Sequence, residues 1–137
     1  SYVPLNNKHM KTIQDIKSAQ QAKMSDMFHE LGIFFAFGQE QFDRSRKPNV
    51  TYVSGGYGMC IPENNVEAYK KCFDRIIRES NEELRENIDM DRYIEYQLDN
   101  YEVYYTRDIS DAYAIVKEIY PQCTTEDVWR VLHMTDR

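Results

Sequence analysis

The chain has 137 residues, 42% hydrophobic and 29% charged, with a formal net charge of −6. That length suits a single domain with one real core, and the apolar content excludes a disordered chain. No run of about 18 apolar residues is present, which excludes a transmembrane helix.

The opening, SYVPLNNKHMK, lacks the apolar stretch of a signal peptide, and residue 1 is Ser, so a trimmed or replaced start is expected. Cys60, Cys72 and Cys123 are odd in number and widely spaced, which points to reduced thiols and the cytoplasm. The acids are concentrated. Residues 1–71 carry nine Lys/Arg against seven Asp/Glu, residues 72–111 five against twelve, and residues 112–137 three against four. A segment this acidic repels a phosphate backbone, so no direct nucleic-acid contact is expected; a basic protein groove would attract it. The same acids also serve merely to solvate an exposed helix face.

In chain order, residues 1–8 read as a loose leader and 9–137 as one domain. From about His9 to Leu31 the apolar spacing predicts a long helix, with Ile13, Ile16, Met24, Met27, Phe28 and Leu31 on one stripe. Gly32 stands where a left-handed C-terminal cap is wanted. Ile33–Gly38 is short, apolar and aromatic and reads as a central buried strand. Gln39–Arg46 reads as a short helix with Phe42 inward, followed by the basic cluster Arg44, Arg46 and Lys47. Thr51–Val53 and Met59–Ile61 flank Ser54-Gly55-Gly56-Tyr57-Gly58 as a hairpin, the glycines supplying positive φ.

A second long helix is predicted over about Asn65–Glu86, with Ser80 and Asn81 marking a bend or break. A third runs over about Asp89–Asn100, with Met90, Ile94, Leu98 and Tyr101 at helical spacing. Val103-Tyr104-Tyr105-Thr106 has strand character, and Asp108, accepting from the amide of Ser110 or Asp111, opens the helix that Pro121 stops. Thr124 caps a last helix, with Asp127 three residues on, and His133–Arg137 is expected to fray. The fold class is therefore α+β: a small three- to four-stranded antiparallel or mixed sheet covered by five or six helices.

No motif in the chain carries a known chemistry. SGGYGMC has neither the Lys nor the spacing of a phosphate loop, so it reads as a hairpin turn whose tip, Tyr57, is a candidate contact residue. The Cys and His residues are scattered, which suits neither a Cys–His nucleophile nor a zinc site, and no metal or cofactor is expected. Glu82, Glu83, Glu86, Asp89, Asp91 and Glu95 follow successive helical turns rather than opposing walls of a cleft, which does not suit glycosidase chemistry. The last two helices match a helix–turn–helix in length, but Glu126 and Asp127 would stand where DNA is contacted. A DNA-reading role is rejected.

The segments FFAFGQEQFDRSR, YVSGGYGMCIPENNVEAY and NYEVYYTRDISDAYAIV, in that order, resemble a family of small proteins encoded by phages and mobile elements of gut Bacteroidetes-like bacteria. The matching positions are Phe34, Phe35, Ala36, Phe37, Gln41, Phe42, Gly55, Gly56, Tyr105, Thr106, Asp108, Ile109, Asp111 and Ala112. The resemblance spans roughly residues 25 to 132 and contains no catalytic motif. It implies an accessory protein acting inside a bacterial host. Small acidic proteins of such origin include anti-CRISPR inhibitors, and a Cas nuclease offers basic channels for guide and target strands.

The leading expectation is thus a non-enzymatic inhibitor of a bacterial defence system, most concretely an anti-CRISPR protein. It would bind a basic groove of a host protein through Glu82, Glu83, Glu86, Asp89, Asp91 and Glu95, with Tyr93, Tyr96 and Tyr57 as aromatic anchors. No membrane partner is expected, and a homodimer stays open. One alternative is a small-ligand module or small enzyme with a pocket beneath the Gly-rich turn, lined by Phe34–Phe37 and Tyr104/Tyr105. Another is a virion or assembly protein.

Overall fold

The structure, a computed structural model, describes residues 11–136; the expected leader over 1–8, and Arg137, lie outside them. The architecture is α+β, with seven α-helices and a three-stranded antiparallel sheet among the described residues. The chain divides into two compact units: a sheet unit, Ser18–Glu79, and a helical unit made of Ser1–Lys17 and Ser80–Arg137.

Helix α1 (Ile13–Glu30), whose residues from Ser18 on belong to the sheet unit, stops where expected. Gly32 takes φ 69°, a conformation without penalty only for a residue lacking Cβ. The Ile33 N–H turns back to the Phe28 carbonyl at 2.9 Å, and the Asn65 side-chain amide donates to the Leu31 carbonyl at 2.8 Å. Two of the orphan carbonyls of the helix end are thereby satisfied.

Strands β1 (Phe34–Phe35), β2 (Tyr52–Gly56) and β3 (Met59–Pro62) pair in the order β1-β3-β2. The aromatic run is therefore an edge strand of two residues, not the central buried strand its composition suggests. The reason is local. After Phe35 the chain turns away, the Phe37 N–H donates to Gln41 Oε1 at 2.7 Å, and Phe37 is left 76% exposed. The central place goes to β3, whose Ile61 is buried. Helix α2 (Gln39–Ser45) lays Phe42 against Phe34 and Tyr52, with ring centroids 6.0 and 5.7 Å away. The hairpin turn is Tyr57-Gly58, with φ 52° and 83°, the two positive values a type I′ turn demands.

Helix α3 (Val66–Asn87) runs unbroken through Ser80 and Asn81, so the anticipated break is absent. Strong helix formers on both sides, Arg78, Glu79, Glu82, Glu83 and Leu84, outweigh two mildly unfavourable residues.

The helical unit holds the main core. Helix α4 (Met90–Asn100) is capped by Asp89, which accepts from the Arg92 N–H at 2.9 Å, and it packs against α6 (Ser110–Ile119) and α7 (Thr125–Thr135). Ile94, Leu98, Val116, Val128 and Leu132 are wholly buried there. Each such side chain contributes about 1.5–3 kcal/mol of transfer free energy.

Val103–Thr106 is not a strand but one helical turn, α5. Glu102 and Arg107 bracket it in the left-handed region, φ 55° and 62°, and the Arg107 N–H returns to the Val103 carbonyl at 2.8 Å. All three strands lie between Phe34 and Pro62, so β-branched and aromatic residues here have no sheet to join, and Val103 is buried by helices instead.

At the start of α6 the Ser110 N–H donates to Asp108 Oδ1 at 3.0 Å as expected, but the helix begins at Ser110, and the residue before it, Ile109, rather than Asp108, is its N-cap and makes no side-chain cap bond. The expected capping box of α7 is present, Thr124 and Asp127 each accepting from the other's N–H. Fraying from His133 does not occur. Helix α7 runs to Thr135, whose hydroxyl bonds the Val131 carbonyl and Tyr104, while Arg107 pairs with Asp136 at 2.8 Å.

Candidate functional site

The two units differ in charge. Residues 80–137 carry fourteen acids and six Lys/Arg, residues 1–17 one acid and three lysines, and residues 18–79 eight of each sign. The whole net charge of −6 therefore resides in the helical unit, and the sheet unit is neutral. Two of the helical unit's own cations are turned inward to backbone. Arg85 donates to the Ile119 carbonyl at 3.0 Å, and Lys117 donates to the carbonyls of Pro121 and Cys123 at 2.8 and 3.1 Å.

The nine residues expected to contact a partner separate into distinct groups. Glu82 and Glu86 are exposed, one turn apart on α3, and among the described residues neither takes part in an ion pair. Glu83 is half-buried and held by Lys11 Nζ at 3.2 Å. Asp89 is exposed but occupied as the cap of α4. Asp91 receives both guanidinium nitrogens of Arg130, each at 2.8 Å, and this hydrogen-bonded cation holds its carboxyl below the usual aspartate range. Glu95 is half-buried on α4.

Tyr93 requires correction as an aromatic anchor. It is 5% exposed, lies within the core with its ring tilted against that of Tyr120 at 5.5 Å, and accepts a hydrogen bond from the Gln97 side-chain amide at 2.8 Å. Burial pushes its hydroxyl up. Tyr96 is half-buried, its hydroxyl accepting from Lys17 Nζ at 2.7 Å. The helical period places residues 93 and 96 on adjoining faces, and packing decided which face met the core.

Tyr57 belongs to the sheet unit and is 97% exposed at the hairpin tip. Its φ of 52° is one that Asn or Gly adopts more readily, so an aromatic side chain is presented to solvent at some conformational cost. Beside it, the Phe37 ring lies over Gly58, where an added Cβ would come within 2.7 Å of the ring. Phe37 was not among the expected contact residues because an apolar run reads as core. The Gly38 that follows it was the available sign that the strand had ended.

Below this tip, on the face of the sheet that α2 partly covers, is an open concavity of about 290 Å³. Phe42 and Tyr52 line it together with Ala36, Ser54, Gly58 and Cys60. Of the pocket expected beneath the Gly-rich turn, Ala36 is a lining residue, while Tyr104 and Tyr105 belong to the helical unit. A larger open groove of about 550 Å³ runs between α1 and α3, past Lys23, Glu30, Cys72 and Arg75. Among the described residues no group of three or more His, Cys, Asp and Glu is placed to hold a metal ion. Among the described residues no helix is long and apolar enough to cross a membrane.

One family model matches the chain, over residues 12–134, and its description is a family of unknown function, DUF7659. No curated protein and no solved structure matches.

Proposed function

The chain belongs to DUF7659, a family of unknown function, and from its own surface we propose that it acts by binding a protein with a basic groove. The observation that carries this reading is the segregation of charge: the entire net charge of −6 lies in the helical unit, where Glu82 and Glu86 project from consecutive turns without ion pairs. Unscreened like charges one turn apart destabilise a helix slightly. A basic partner turns that cost into attraction and accelerates encounter.

In its most concrete form the partner is a bacterial host nuclease. The resemblance to phage and mobile-element proteins supports that form, in which the carboxylates occupy a channel otherwise filled by phosphates and inhibit a Cas nuclease stoichiometrically. Glu83 and Asp91, already bridged, set the backbone of the patch rather than its contacts.

The test is retention from a bacterial lysate on the tagged full chain at low and high salt, beside the variant Glu82→Lys/Glu86→Lys. The native chain is expected to retain a nucleic-acid-processing protein at low salt and release it at high salt, and the variant to retain none. If the variant, still folded by circular dichroism, holds the same protein equally well, the acidic-patch reading is wrong.

A further inference from the structure

The outer edge of the sheet carries a second, independent feature. Glu63 N–H donates to the Thr51 carbonyl at 2.8 Å, and two residues inward Val53 stands opposite Ile61. In an antiparallel ladder alternate residues turn their peptide groups to the same neighbour. Thr51 and Val53 therefore face β3, and Tyr52 and Ser54 turn their N–H and C=O groups outward. Among the described residues no backbone group bonds them on that side. Strand edges are ordinarily blunted by charge or proline. Tyr52-Val53-Ser54-Gly55-Gly56 has neither, and only the irregular register between Ser54 and Gly56 shortens it.

The open edge lies beside the concavity, since Tyr52 and Ser54 line both. A strand added here would bring its own alternate side chains over that hollow, which the rings of Phe42 and Tyr52 help to line. No carboxylate lines the hollow. One cation stands at its rim: the Arg46 guanidinium lies 5.6 Å from the Phe42 ring centroid. The next residue, Lys47, is tied to the same place by its backbone N–H, which donates to Tyr52 Oη at 3.1 Å, and its side chain is exposed. Among the described residues neither side chain is in an ion pair.

We infer that this edge is a peptide-binding site: it takes an extended segment of another protein as a fourth strand against Tyr52–Ser54. Main-chain hydrogen bonds hold the segment, the hollow receives one apolar side chain, and Arg46 and Lys47 select an acidic residue beside it. The site is separate from the carboxylates proposed above, which lie in the other unit, so either reading stands or falls without the other.

The test is selection of a randomised peptide display library on the full chain, with affinities of the selected peptides then measured by fluorescence anisotropy. Selected peptides are expected to carry Asp or Glu within two positions of a Phe, Leu, Ile or Val, with no proline between. Methylating the backbone nitrogens of a selected peptide should weaken binding by about tenfold or more, because strand pairing needs those N–H groups. Ser54→Pro removes an outward N–H at a position where an edge strand tolerates proline, and should weaken binding about three- to tenfold. Arg46→Glu/Lys47→Glu alters only exposed side chains and should invert the preference toward basic peptides.

Selection without an acidic–apolar pattern, or equal binding of the N-methylated peptide, would overturn the proposal. So would concentration-dependent self-association that Ser54→Pro abolishes, because the occupant of the edge would then be a second copy.

Discussion

Removing one hydroxyl, Tyr120→Phe, tests how the helical unit is held together. Tyr120 is 3% exposed and its Oη donates to two carbonyls at the end of α3, Ile88 at 2.6 Å and Leu84 at 3.1 Å. Leu84 keeps its helical partner, the Ile88 N–H at 2.8 Å, but the Ile88 carbonyl loses its donor. A buried carbonyl left without a donor costs about 1–3 kcal/mol, and the smaller burden of burying Phe rather than Tyr offsets part of this. A net loss of about 1–2 kcal/mol should lower Tm by about 3–8 °C in a chain of this length. Urea unfolding followed by fluorescence of the single tryptophan, Trp129 on α7, reads the helical unit directly.

The same hydroxyl makes a second, pH-dependent claim. Burial pushes its pKa from 10.0 up to about 12. Since the folded value lies above the unfolded one, the native state is favoured in full below pH 10 and loses this contribution as pH rises towards 12. A shift of that size corresponds to about 2–3 kcal/mol. The stability difference between native chain and Tyr120→Phe should therefore narrow across that alkaline range. A variant within about 0.5 kcal/mol of the native chain at pH 7, or a difference constant from pH 9 to about 12, would refute the reasoning.

Other perturbations follow from single contacts. Thr124→Ala removes one half of the α7 capping box and should cost about 1 kcal/mol in urea unfolding, with the slope of the transition unchanged. Asp91→Asn breaks the bidentate pair with Arg130; because the folded carboxyl titrates below 3.8, the native advantage should be present at neutral pH and vanish as pH falls below that value. With a thiol reagent, Cys60 and Cys72, both half-buried, should react in the folded state, while Cys123, fully buried and with its thiol pushed up by burial, should react only on unfolding. Gly58→Ala should displace the Phe37 ring at the hairpin tip, seen as altered ring resonances in proton NMR, because the new Cβ would lie 2.7 Å from it.

Most local structure was legible where one residue has one job. Gly32 ended α1 because only a residue without Cβ takes φ 69° freely, Asp89 and Thr124 capped α4 and α7 through their own oxygens, and the glycines placed the hairpin. Helical spacing likewise identified Ile94, Leu98, Val116 and Val128 as inward residues. Where several residues had to agree on a partner, composition misled. Phe34–Phe37 and Val103–Thr106 both have strand-forming side chains, yet one became a two-residue edge and the other a helical turn.

The carboxylates show the same division. Their number and concentration were evident from the chain, but their availability was not, because ion pairing depends on Lys11 and Arg130, residues distant in sequence from the acids they hold. The amino-acid sequence by itself determined the helix ends, the hairpin, the class of the fold and the acidic balance, all set within a few residues or by counting. Only the tertiary structure decided that Tyr93 is core, that Phe37 is surface, and that Tyr52 and Ser54 form an open edge. Burial and strand pairing are relations between distant segments, and no local preference encodes them.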